Sequence, residues 1–147
     1  MAGEWRKRRG AASNRHLRAW LAANFRAAVG FEHAMAQRVR QWFNLDHAHT
    51  HAVATLYAAG FNAAAAPEAM ARIRRDLGVE DAARDLYDLN VRLGLPTGLK
   101  DLGLSEKDLG KAVEVISAVK ITHAKPVTRA DLENVIGQAF AGAPPRF

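Results

Sequence analysis

The segment NLDHAHTHAVATLY, residues 44–57, places His47, His49 and His51 at alternate positions directly behind Asp46, and His33 stands fourteen residues ahead of His47. Neutral imidazole ligates metals and moves protons near neutral pH, so this is where chemistry is first sought. What the run can do depends on its conformation. In an extended strand the three rings of the run would share one side. In a helix, positions two apart diverge and positions four apart meet. No standard zinc spacing matches the four histidines, so a metal site and a set of ordinary polar side chains both stay open on the residues alone.

Few other motifs compete. The chain has no cysteine, which excludes a disulfide framework, a thiolate zinc site and a cysteine nucleophile. The phosphate-binding patterns GxGxxG and GxxxxGKS/T are absent, as are a GxSxG elbow and an HExxH pair. Asp85 and Asp88 share a stretch with Arg84 and Arg92, which reads as an exposed charged face rather than a general acid–base pair. His16 and His123 are isolated, and each is expected in a surface or capping role.

The elements that would position these residues read as helices. Leu17, Trp20, Leu21 and Phe25 recur at three- and four-residue spacing behind a Ser13 or Asn14 cap. Phe31, Met35, Val39 and Trp42 form a second stripe, and HAVATLYAAGFN from His51 reads as a short apolar helix. Pro67 suits a first helical position, and Gly78 and Gly94 close the next two segments. Ser105 with Asp108, and Thr128 with Asp131, resemble capping boxes ahead of two further helices. No strand pair is evident, so the fold class is all-α, one bundle of roughly six or seven helices.

A length of 147 residues fits one domain with a single core. The net charge of +6 is concentrated at one end. Residues 1–40 hold nine Lys/Arg against two acids, and residues 41–147 hold twelve against thirteen. Residues 1–30 are therefore set apart as a basic N-terminal segment, with the helical domain at 31–147. The run at Arg6–Arg9 could contact phosphate, but a solvated terminus is the expected reading, and nucleic acid is not an expected partner. No apolar run is long enough to span a membrane, and no export cleavage site is evident, so a cytoplasmic protein is expected.

From about Phe31 onward the chain resembles the C-terminal part of the iron-containing alcohol dehydrogenase family, and within it the maleylacetate reductase branch. HAMAQRVRQWFNLDHAHTHAV carries the likeness, and FNAAAAPEAMARIRRDLG, LYDLNVRLGLPTGLKDLGLSEKDL and KPVTRADLENVIGQAF continue it in order. The resemblance implies an all-helical, metal-binding domain that follows a nucleotide-binding α/β domain in an NAD(P)-dependent oxidoreductase. It puts the family's two metal-binding histidines on His33 and His47, with iron or zinc as the ion. It makes His51 a substrate-pocket or proton-transfer candidate, and it assigns nothing to His49.

The resemblance also has departures. The family's upstream aspartate–histidine ligand pair has no counterpart in residues 1–32, which leaves an incomplete ligand set. Gln37 stands where a histidine is common, Asp46 where proline is usual, and Arg40 and Gln41 where small residues are expected. No cofactor-binding residue is assigned, because the coenzyme loops belong to the nucleotide-binding domain. NAD(P)H is thus expected to reach this chain only through such a domain, carried on a partner chain. The isolated chain is expected neither to bind NADH nor to consume it, and unpartnered apolar surface would favour a homo-oligomer. The alternative readings are a non-catalytic helical remnant or interaction module and, third, a basic nucleic-acid-binding protein.

Overall fold

A computed structural model describes residues 30–147 apart from 66, 122 and 124. The basic run, His16 and the stripe from Leu17 to Phe25 lie outside the described residues. Those described form six α-helices and no strand, as the periodicity implies. The first, α1, occupies residues 30–43. Phe31, Met35 and Val39 face the core at the spacing of one helical face, joined by Ala36. Trp42 departs from the expected stripe. It lies at the end of α1, 56% exposed, with the Lys111 ammonium 4.8 Å from the ring centroid. A covered stripe needs a neighbouring element along its whole length, and periodicity alone does not supply one.

Asn44 stops α1 in a left-handed conformation (φ 52°), which asparagine tolerates better than most residues. The Leu45 amide donates to the Arg40 carbonyl across this turn. Asp46 then opens α2, His47–Ala65, by accepting the His49 amide on its carboxylate at 2.9 Å. The helix therefore begins four residues earlier than the apolar pattern suggests and contains the whole histidine run.

Next come α3, Pro67–Leu77, and α4, Ala82–Arg92, capped by the Asp81 carboxylate. Gly78 and Gly94 follow them at φ 67° and 68°, the left-handed stop that glycine adopts without a Cβ clash. Two 3-10 turns, Leu99–Leu102 and Glu106–Asp108, lead into α5, Leu109–Ser117. Ser105 forms no side-chain cap, contrary to the sequence reading; only its carbonyl takes part in the second turn, accepting the Asp108 amide. Thr128 and Asp131 do form the expected capping box, at the start of α6, Arg129–Ala141.

Helix α2 runs through the middle, packed against α4 and α6, while α5 lies along α6. Phe31 of α1 meets Phe61 of α2 with ring centroids 5.0 Å apart. The residues after α6 fold back over the same centre. The Tyr57 hydroxyl lies 2.9 Å from the carbonyls of both Thr97 and Ala143, and the Tyr87 hydroxyl donates to the Gly142 carbonyl. Phe147 lays its ring where a Cβ on Gly60 would stand, and Gly98 and Gly142 touch backbone to backbone.

Candidate functional site

Helical backbone through residues 47–51 answers the question of conformation. His47 and His51, four apart, stack on one face of α2 with ring centroids 4.6 Å apart. His49, two residues from each, points away and pairs with Asp46, Nδ1 to carboxylate at 3.0 Å. It belongs to the cap. From α1, His33 brings a third imidazole to the same place, its centroid 6.0 Å from that of His51. The Asn44–Asp46 turn achieves this by folding the end of α1 back toward the start of α2.

Of the three, His33 and His47 are exposed and His51 is mostly covered. Glu32 lies beside His51, with Oε1 2.7 Å from Nδ1. Nothing in the sequence motifs singles out Glu32. The signal available was a carboxylate immediately before His33 on the rim of the α1 apolar face. On the opposite edge of the His51 ring, Nε2 is buried and has no hydrogen-bond partner. Buried polar nitrogens in native proteins are nearly always paired, so this atom, like Arg40 Nε, Asn62 Nδ2 and Asn90 Nδ2, keeps unmet hydrogen-bonding capacity.

Among the described residues no three His, Asp or Glu side chains are placed to hold a metal ion. His33 and His47 alone would give an ion two protein donors, where catalytic sites use three. The described residues do not by themselves fit a resident metal.

The departures from the family pattern have structural outcomes. Asp46 in place of proline becomes the α2 cap. Gln41 turns to solvent, but Arg40 does not wholly do so: its Nε is buried and unpaired. His123 sits apart from the cluster, with Nε2 against the Asn62 side-chain oxygen and its ring packed on Phe61. Its Nδ1 also meets the Lys125 backbone, so it combines packing with a local capping contact. Among the described residues, no helix is long and apolar enough to cross a membrane.

Residues 8–140 match the family model described as the C-terminal part of the Fe-containing alcohol dehydrogenase family. Maleylacetate reductase of Burkholderia cepacia is 34% identical over 129 residues, which are 86% of this chain and 37% of that protein. The enzyme of the same name from Delftia acidovorans is 29% identical over 130 residues, again 37% of its length. The crystal structure of maleylacetate reductase from Rhizobium sp. superposes with a TM-score of 0.72 at 30% identity, covering 78% of this chain and 33% of that one. The chain thus spans little more than a third of the length of these relatives. On the match over residues 8–140 and the shared helical fold, it belongs to the Fe-containing alcohol dehydrogenase family, as its C-terminal region.

Proposed function

We propose that this chain forms the substrate-side half of an NAD(P)-dependent oxidoreductase of the maleylacetate reductase type, acting with a nucleotide-binding half that supplies the hydride. The observation that carries the reading is the clustering of the His33 and His47 rings beside that of His51, whose Nε2 is buried and unpaired, at the α1–α2 junction. In this reading His51 transfers a proton to or from the substrate, while His33 and His47 stand exposed beside it. A resident metal would need donors beyond these residues. The hydride must come from elsewhere, because the 147-residue sequence holds no glycine-rich phosphate loop and the reduced nicotinamide must be held within near-attack distance of the substrate.

A chimera tests this. The nucleotide-binding region of the Burkholderia cepacia relative is fused to this chain in place of its own C-terminal region, and NADH oxidation is followed with maleylacetate. Turnover is expected, and His51→Gln should lower kcat by about 10²–10⁴-fold, the range of general acid–base catalysis. A folded chimera that binds NADH but does not turn over, or one indifferent to His51→Gln, overturns the reading.

A further inference from the structure

The contact between Glu32 and His51 decides more than packing. Both side chains are mostly covered, at 17% and 25% exposure, so solvent competes weakly for their hydrogen bond. A carboxylate can only accept, so Oε1 at 2.7 Å from Nδ1 requires the proton to sit on Nδ1. In a neutral imidazole, Nε2 is then bare and presents a lone pair. That atom is the buried nitrogen without a protein partner. The other carboxylate next to the run, Asp46, does not compete, because the backbone and ring of His49 occupy it. We infer that Glu32 is a positioning residue: it locks His51 in the Nδ1–H tautomer and holds Nε2 as a bare acceptor for the donor group of a bound ligand, a hydroxyl or a protonated carboxyl.

The inference extends the reading that this cluster receives a substrate, and it has a signature that needs no turnover. In imidazole the protonated and bare nitrogens differ widely in ¹⁵N shift, so the tautomer can be read directly. The full chain is labelled with ¹⁵N-histidine, His51 is assigned by the resonance missing from His51→Gln, and long-range proton–nitrogen spectra are recorded at alkaline pH, where imidazoles are neutral. The parent chain should show the Nδ1–H form as the dominant species. Glu32→Ala should shift the ratio toward the Nε2–H form by about tenfold or more, the factor carried by a hydrogen bond to a charged group.

An Nε2–H tautomer in the parent chain overturns the inference, and so does a ratio unmoved in a folded Glu32→Ala. Should Glu32→Ala fail to fold, the parent spectrum decides alone. Malate, a four-carbon dicarboxylate whose hydroxyl can donate to a bare ring nitrogen, serves as the separate probe of the site. It should move the His51 Nε2 resonance; no movement with the Nδ1–H form in place refutes the substrate reading and upholds the role of Glu32.

Discussion

Removing one oxygen atom at Tyr57 should loosen the whole C-terminal end. The ring of Tyr57 is fully buried in α2, and its hydroxyl stands 2.9 Å from the carbonyls of Thr97 and Ala143. Tyr57→Phe keeps the packing and removes the single O–H that the two carbonyls share. A lost hydrogen bond that strands a buried partner costs about 1–3 kcal/mol, which at about 3 °C per kcal/mol for a chain of this size lowers Tm by about 3–9 °C. Tyr87→Phe is the control. Its acceptor, the Gly142 carbonyl, keeps the Thr97 hydroxyl at 3.2 Å, so the loss should stay near 0.5–1.5 kcal/mol.

The same substitution should change the alkaline limb of stability. Burial, with smaller contributions from Tyr87 and Asp101, pushes the Tyr57 phenol above its ordinary value near 10. A folded-state pKa raised in this way gives stability that is whole below pH about 10 and is lost as pH climbs beyond it. Tyr57→Phe should therefore show a shallower decline above pH about 10. Thermal melts by circular dichroism, across pH, make the measurement. A Tyr57→Phe chain that melts within about 1 °C of the parent, or that costs less than Tyr87→Phe, refutes the reasoning.

Three further outcomes are expected. Gly98→Ala should cost about 1–3 kcal/mol, because the new Cβ meets the Gly142 Cα, the Phe140 carbonyl and the Asp101 carboxylate within 3.2 Å; Gly60→Ala should cost less, because its Cβ meets the Phe147 ring, which can swing aside, and the Pro145 Cβ at 3.0 Å, and alanine's helix preference of up to about 1 kcal/mol offsets part of that. Chemical denaturation ranks the two, and the reverse order would falsify the argument. The Asp131 carboxylate is held below its ordinary range by the Thr128 backbone amide and then by its hydroxyl, so its contribution is present above pH about 4 and lost as pH falls through the lowered value; Asp131→Asn should flatten the acid limb of the same melts. Trp42, Val91 and Leu93 are each more than half exposed, and self-association at micromolar concentration is expected; a monomer by sedimentation would count against it.

Where a feature obeys a period or a local rule, it could be read from the sequence. Gly78 and Gly94 end helices as their positions suggested, and the Thr128 box formed because both of its partners lie within one turn. His33, His47 and His51 come together, since four-residue spacing and one tight turn suffice. What escaped has no periodic trace. Glu32 finds His51 nineteen positions away, Trp42 fits its stripe yet lies at its uncovered end, and the hydroxyl-to-carbonyl ties of Tyr57 reach across 40 and 86 positions. Such contacts depend on where distant elements arrive, and no local pattern encodes that.

The turn at Asn44 has a kinetic consequence. Glu32, His33, His47 and His51 all fall within residues 32–51, so the chain entropy lost in gathering them is that of one short loop. Contacts of low sequence separation form early, on the timescale of helix growth and short-loop closure, whereas the tie from Tyr57 to Ala143 must wait for the chain to close a span of 86 residues. The chemically distinctive corner of the molecule is thus assembled among the first events of folding, and the fastening that makes the fold durable comes among the last. Substitutions in the fastening should then mainly speed unfolding, while those at the Asn44 turn should mainly slow folding.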